Sequence, residues 1–261
     1  MDVTLIITTF NRSDALELVL MSVLSQTILP YEIIIADDGS SDDTDMVIKN
    51  FQLKYKNIIH SWHEDKGFRA AKSRNKAISL STTDYIIIID GDMILHNRFI
   101  EDHRNLSERG FFIQGSRVLL TKEKTDNVFL NKQINFSISE QGLKNRKNNI
   151  LLPNKLVNFL SIKNRSLRGI KTCNMSFFKE DIININGFNE DFIGWGREDS
   201  ELAVRFYNYG LRRKTVKFCA IQYHLWHQEN SRNNLDANDN LLNKALLSKK
   251  SSCALGINQY L

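Results

Sequence analysis

Ile86-Ile87-Ile88-Ile89-Asp90-Gly91-Asp92 runs an apolar segment directly into two carboxylates one residue apart. Four β-branched residues in succession favour a strand buried on both faces, as in a parallel sheet covered by helices. Acidic side chains at its end then stand on the carboxyl edge of the sheet, where open α/β folds place their ligands. The glycine permits a tight turn, and paired carboxylates are hard oxygen ligands suited to Mg²⁺ or Mn²⁺, which can bridge a diphosphate. Asp-Gly is also an ordinary turn signal, so the triplet gains its meaning from the segments around it.

Upstream, Val3 to Thr9 reads as a strand. It is followed by a helix from Ser13 to Gln26, where Leu16, Val19, Leu20, Val23 and Leu24 recur at helical spacing and Asn11 or Ser13 can cap. Tyr31 to Ala36 is a second strand ending in Asp37-Asp38-Gly39-Ser40-Ser41, with a helix from Asp42 to Phe51 capped by Ser41. Ile58 to Trp62 is a weaker third strand, Ala70 to Leu80 a basic helix and Tyr85 to Asp90 the fourth strand. This alternation predicts an α/β fold with a Rossmann-like, mostly parallel sheet and right-handed crossovers. No Gly-x-Gly-x-x-Gly or phosphate-loop motif occurs, so neither of those devices holds a nucleotide here.

Beyond the triplet, Asn97 to Arg109 reads as helix and Phe111 to Leu120 as strand. Between Thr121 and Lys171 periodicity gives way to Asn, Lys and Ser with short apolar islands, the pattern of a long insertion or lid. From Lys122 to Lys171 eleven Lys and Arg face three acids, a local basic excess that suits an acidic saccharide or an anionic surface. No interleaved aromatics accompany it, which argues against nucleic acid. Leu241 to Lys250 is apolar-periodic and reads as a docking helix or a segment resting peripherally on the inner membrane face.

The chain has 261 residues, 42% hydrophobic and 25% charged, with a formal net charge of +5, which fits a globular protein with a sizeable core. No apolar run is long enough to span a bilayer, and the N-terminus enters a strand without a basic leader, giving an expectation of a cytoplasmic protein. Cys173, Cys219 and Cys253 are odd in number and scattered, which fits small buried hydrophobes better than disulfides or a zinc site.

Four further clusters carry chemistry. Thr8-Thr9-Phe10-Asn11-Arg12 closes the first strand with hydroxyls, an amide and a guanidinium, suited to a ribose and a base. Asp38 stands at the end of the neighbouring strand. In Gly67-Phe68-Arg69-Ala70-Ala71-Lys72-Ser73-Arg74-Asn75 three cations gather at a helix start, a natural setting for a diphosphate. Gly194-Trp195-Gly196-Arg197-Glu198-Asp199 sets an indole between two glycines, able to lie against a sugar ring, beside a carboxylate pair that can supply a general base. In Tyr223-His224-Leu225-Trp226-His227-Gln228-Glu229, strand alternation would turn His224 and His227 to different faces, leaving one of them as a further metal ligand.

Taken in order, these motifs resemble an inverting glycosyltransferase of family 2 with the GT-A fold, and the C-terminal part is similar to the galactosyltransferase-type region of bacterial chondroitin polymerases. The resemblance covers residues 3 to 230. It implies a mixed, mostly parallel sheet flanked by helices, with a nucleotide-sugar-binding half at 1–120, a basic insertion at 121–171, an acceptor and catalytic part at 172–235 and a C-terminal helix and tail at 236–261. It further implies that Thr8, Thr9, Phe10, Asn11, Arg12, Asp38, Arg69, Lys72, Arg74, Asn75, Asp90 and Gly91 hold a UDP-sugar. Asp92 with His227, or alternatively His224, would bind Mn²⁺ or Mg²⁺. Trp195, Gly196 and Glu198 would bind a saccharide or lipid-linked acceptor, and Asp199 would be the base. The implied reaction is transfer of a sugar to a hydroxyl of a bacterial surface glycan of lipopolysaccharide or capsule type. A nucleotide-sugar hydrolase, a nucleotidyltransferase and a non-catalytic glycan-binding subunit are the alternatives. Gly91 between the two carboxylates and the unmatched 121–171 stretch depart from the family pattern.

Overall fold

The computed structural model describes residues 1–228 and 232–261; Glu229, at the end of the histidine segment, lies outside them. In chain order the elements are β1 (Val3–Thr9), α1 (Ser13–Leu24), β2 (Glu32–Asp37), α2 (Asp42–Gln52), β3 (Ile58–Trp62), α3 (Ala70–Leu80), β4 (Tyr85–Asp90) and β5 (Met93–Leu95). Then follow α4 (Phe99–Leu106), β6 (Phe111–Gln114), β7 (Val118–Leu120), α5 (Lys122–Asn131), β8 (Leu143–Lys144), α6 (Asn154–Leu160), β9 (Ile162–Asn164) and β10 (Asn174–Phe178). The chain closes with α7 (Lys179–Asn184), α8 (Glu198–Tyr209), β11 (Arg212–Thr215), β12 (Gln222–His224) and α9 (Leu235–Ser248).

Among the described residues, eight strands form one sheet in the order β3-β2-β1-β4-β10-β6-β11-β9, and β5-β12-β7-β8 form a second, smaller sheet. Strands β3, β2, β1 and β4 are mutually parallel, β10 runs antiparallel to its neighbours β4 and β6, and β9 runs antiparallel to β11. The result is a mixed α/β sheet flanked by helices, the class read from the sequence. Successive residues of the parallel strands supply opposite layers: Leu5, Ile7, Ile33, Ile35, Ile87 and Ile89 pack with α1, while Ile6, Ile34, Ile86 and Ile88 pack with α3 and α8. Each fully buried isoleucine contributes about 1.5–3 kcal/mol, so the isoleucine run of β4 is a main anchor of both layers.

The register places the functional ends together. Thr8 pairs with Asp90 and Thr9 with Asp37, so the motifs closing β1, β2 and β4 share one edge. Because β10 is antiparallel to β4, with Asn174 opposite Ile89, the residues entering β10 arrive at that same edge.

Several boundaries differ from the sequence reading. Helix α1 begins after Arg12 with no side-chain cap, because the amide oxygen of Asn11 instead accepts from Ser41 N at 2.9 Å. Ser41 stands at the N-cap of α2 but makes no capping bond. The strand expected over Phe111 to Leu120 is two strands in different sheets. It breaks at Gly115, where an added Cβ would lie 2.3 Å from Asn174 Oδ1, so the backbone passes too close for a side chain. The stretch from Thr121 to Lys171 holds α5 and α6 and sends β8 and β9 to the edges of the two sheets. Helix α9 starts at Leu235, ahead of the apolar-periodic stretch, and lies beside α8. No helix of the described residues is long and apolar enough to cross a membrane.

Candidate active site

A cleft of about 810 Å³ opens along the carboxyl edge of β1, β2 and β4. Thr8, Thr9, Phe10, Asn11, Arg12, Asp38, Arg74, Asp90, Gly91, Asp92, Trp195, Glu198, Asp199, His224 and His227 line it, all of them residues singled out in the sequence. Arg69, Lys72, Asn75 and Gly196 do not. Asn75 is buried under the cleft wall, bonding the backbone N and O of Phe188 at 2.7 and 2.8 Å. Arg69 supplies its backbone N–H to Asp38 at 2.7 Å while its guanidinium donates to the Glu64 carbonyl. The expected cluster of three cations around a diphosphate is therefore reduced to one, since α3 turns Arg74 alone into the cleft.

Arg74 is itself committed. Its side chain is 5% exposed, and its nitrogens lie 3.3 Å from Asp90, 3.4 Å from Glu198 and 3.7 Å from Asp199, with Nε donating to Thr8 Oγ1 at 3.2 Å. Burial would weaken its charge, but the three carboxylates more than offset that and raise its affinity for the proton. The carboxylates respond in turn. Burial, followed by repulsion from Asp199, pushes Glu198 up to about 8, so Glu198 carries a proton at neutral pH. Burial, opposed by Arg74, and repulsion from Asp92 and Asp199 push Asp90 up to about 6. Asp199 opens α8, where the helix N-terminus favours negative charge, and accepts from Thr172 Oγ1 at 2.8 Å and Thr172 N at 3.2 Å. It is held in one orientation with a carboxylate edge on the cleft.

At the far side of the triplet the two sheets meet. Met93 of β5 pairs with His224 of β12, and Leu225 N donates to the Asp92 carbonyl at 3.1 Å. Strand β12 ends at His224, so alternation no longer governs His227, and both histidines turn to Asp92. Their Nε2 atoms lie 3.4 and 3.2 Å from Asp92 Oδ2, and the rings stand edge to face with centroids 5.1 Å apart. This corrects the expectation that only one of them could face the site. His227 Nδ1 lies 2.7 Å from the Gln228 carbonyl, which can only accept, so Nδ1 donates there and the ring is held with Nε2 toward Asp92. Asp92 Oδ1 is buried and, among the described residues, has no hydrogen-bond partner. Burial works against its charge but the histidines, His224 first, hold the Asp92 carboxyl below the usual range. An ionised carboxylate with an unspent oxygen beside two imidazoles fits a divalent cation, and this trio is the one such grouping among the described residues.

Gly91 has a local reason. An added Cβ would lie 3.0 Å from the Thr9 side chain, and Gly91 N donates to Thr8 O at 2.7 Å, so the turn is pressed against β1. Asp38 holds the opposite wall, bonding His63 Nε2 at 2.7 Å. Trp195 sits half-exposed over the mouth, under the Arg232 guanidinium, on a loop whose Ile193 carbonyl accepts from Asn234 and Asn238. Helix α9 thus positions the indole, a role the sequence did not suggest. Arg117, Lys171, Thr172 and Cys173 also reach the cleft and were missed, because only the antiparallel entry into β10 brings 171–173 to this edge.

Comparison with known proteins bears on the family and the fold. Residues 4–168 match glycosyl transferase family 2, and residues 157–228 match the N-terminal domain of galactosyltransferase. The chain is 29% identical to hyaluronan synthase of Pasteurella multocida over 82% of its own length and 23% of that protein. It is 27% identical to chondroitin synthase of Escherichia coli over 85% of its length and 34% of that protein. The chain spans about a quarter to a third of the length of these curated relatives. Among solved structures, S. aureus TarS 1–349 in complex with UDP-GlcNAc superposes with a TM-score of 0.62 at 15% identity, over 100% of this chain and 69% of that one. Mannosyltransferase PcManGT from Pyrobaculum calidifontis, in complex with GDP-Man and Mn²⁺, gives a TM-score of 0.58 at 16% identity over 87% of this chain and 57% of that one.

Proposed function

This chain belongs to glycosyl transferase family 2, and from that premise we propose that it transfers a sugar from a UDP-sugar to a hydroxyl of a bacterial surface glycan, with inversion at the anomeric carbon. The observation that carries the reading is the meeting, in one cleft, of the Asp92, His224 and His227 trio with a carboxylate, Asp199, oriented by Thr172. Asp92, His224 and His227 would hold a divalent cation, which when bound supplies positive charge to the departing diphosphate. The UDP complexes of the structural neighbour TarS support a UDP-linked donor.

The chain's own groups divide the remaining work. Asp199 takes the proton from the attacking hydroxyl, a contribution typically worth about 10²–10⁴-fold. Glu198, protonated beside it, cannot be that base and instead donates a hydrogen bond to the acceptor. Arg74 holds Asp90 and Asp199 in place through ion pairs rather than meeting the diphosphate, and Arg12, whose charge reaches Asp92, takes the diphosphate role that the sequence reading gave to Arg69 and Arg74. Trp195 offers an apolar face to an acceptor ring.

The test is a thermal-shift panel of UDP, GDP, CMP and TDP, each with and without Mn²⁺, followed by product analysis on the stabilising nucleotide's sugars. A ligand at 100 times its dissociation constant adds about 2.7 kcal/mol of stability. A shift with UDP that requires Mn²⁺, and acceptor-dependent release of UDP, are expected. Free sugar released at full rate without acceptor would make the protein a hydrolase, and no shift with any nucleotide would refute the donor site.

A further inference from the structure

Next to the cleft lies a second cavity of about 230 Å³, lined by Gln114, Arg117, Asn145, Asn148, Lys171 and Cys173 among others. The two spaces share Arg117, Leu119, Lys171 and Cys173, so they are continuous through the segment that carries Thr172, the partner of Asp199. Their charge differs sharply. Five carboxylates line the main cleft, whereas the side cavity has two cations and none. Among the described residues neither Arg117 nor Lys171 takes part in an ion pair, and the guanidinium's one side-chain contact is a long one, 3.8 Å to Cys173 Sγ. Burial first and the nearby guanidinium second hold the Lys171 ammonium below its usual range, against the smaller opposing pull of Cys173 and Asp199, so the two cations repel each other across a side cavity whose own lining offers no carboxylate.

The walls are built rather than loose. Gln114 Nε2 donates to the Lys171 carbonyl at 3.0 Å and Gln114 Oε1 accepts from Lys171 N at 3.0 Å, tying the lysine's backbone to β6. Asn148 Nδ2 donates to the Arg117 carbonyl at 2.8 Å, fixing the other cation's backbone from the opposite side. Both cations are thus placed by side-chain amides, while their charged ends stay available to the cavity.

We propose that this side cavity is an acceptor subsite for an anionic group, a carboxylate or a phosphate, carried on the glycan next to the hydroxyl that Asp199 deprotonates. The inference rests on the transferase reading and deepens it by naming the class of acceptor. A carboxylate or phosphate between Arg117 and Lys171 would receive charge-assisted hydrogen bonds from both and relieve their repulsion. The adjoining residue of the glycan would then extend past Cys173 to Thr172 and Asp199. A neutral sugar gains neither benefit, so the pocket discriminates by charge.

The experiment titrates the protein, saturated with UDP and Mn²⁺ to occupy the donor site, with methyl β-glucuronide, methyl β-glucoside and glycerol 3-phosphate. Dissociation constants are read by NMR. At least one anion is expected to bind about tenfold or more tightly than the glucoside, and which of the two does so distinguishes a uronate from a phosphate acceptor. Arg117→Gln and Lys171→Gln are each expected to abolish that preference, with a UDP and Mn²⁺ thermal shift still present to show a folded, loaded donor site. Equal binding of all three probes, no binding of any, or a preference that survives both substitutions would overturn the proposal. Absence of the UDP and Mn²⁺ shift in the wild-type protein would instead strike the transferase reading.

Discussion

Replacing Arg74 by methionine keeps most of the side-chain volume and removes the one cation set among Asp90, Glu198 and Asp199. With the arginine 5% exposed and Glu198 13% exposed, these charges are poorly screened, and removing one partner of a buried ion pair typically costs about 3–5 kcal/mol. The size of the loss depends on pH. Glu198 has a folded pKa of about 8 against an unfolded value of 4.5, so its contribution to stability is full below 4.5 and declines as the pH rises toward 8. At pH 5.5 Glu198 is protonated with or without Arg74, and Asp90, held up to about 6, is largely protonated as well, so the variant strands less charge. At pH 8.5 Glu198 is largely ionised in the wild-type protein, where Arg74 offsets its charge, whereas in the variant the carboxyl has no counter-charge and must keep its proton at a cost that grows with pH. Urea denaturation in EDTA should therefore show a loss of about 3–5 kcal/mol at pH 8.5 and a smaller loss at pH 5.5. Adding Glu198→Gln to the variant should restore part of the loss at the higher pH. A loss below about 1 kcal/mol at both pH values, of the size expected of a solvent-exposed pair, or one that does not change with pH, would refute the account of Arg74 as the cation that neutralises this cluster.

Asp199→Asn keeps the bond from Thr172 while removing the base, so UDP binding should persist and transfer should fall about 10²–10⁴-fold; lost UDP binding would show that Asp199 belongs to the donor site. Asp92→Asn and His227→Ala should each abolish the Mn²⁺-dependent part of the UDP thermal shift without unfolding the protein, and EDTA should reproduce that effect on the wild type. Arg205 is buried, makes two 2.8 Å bonds to Glu201 and donates to the Ile185 and Gly187 carbonyls. Arg205→Met should lower stability by about 3–5 kcal/mol with much of the loss recovered by adding Glu201→Leu, and a drop below 1 kcal/mol would contradict it.

Reading the linear chain succeeded where physics is local. The isoleucine run of β4, the helical spacing of Leu16 to Val23 and the start of α3 at Ala70 depend on neighbours within a few residues, and these elements appear where expected. It failed at Gly115, where a distant side chain, Asn174, sets the break between two strands. The basic segment at the start of α3 misled for the same reason. Three cations within six positions read as one site, yet on a helix residues 72 and 74 point to different sides, so Arg74 enters the cleft while Lys72 does not.

The sequence by itself determined the alternation of strands and helices, the carboxyl-edge position of Asp38, Asp90 and Asp92, and the adjacency of the Glu198 and Asp199 carboxyls, since each follows from periodicity or from a contiguous motif. Only the tertiary structure decided that His224 and His227 both face Asp92, that Thr172 orients Asp199, that α9 carries the Trp195 loop, and that Arg117 and Lys171 share a cavity free of acids. The physical reason is strand pairing across long sequence separations. The β5–β12 ladder and the antiparallel entry into β10 join segments far apart in the chain, and no local propensity records which distant backbone a strand will choose.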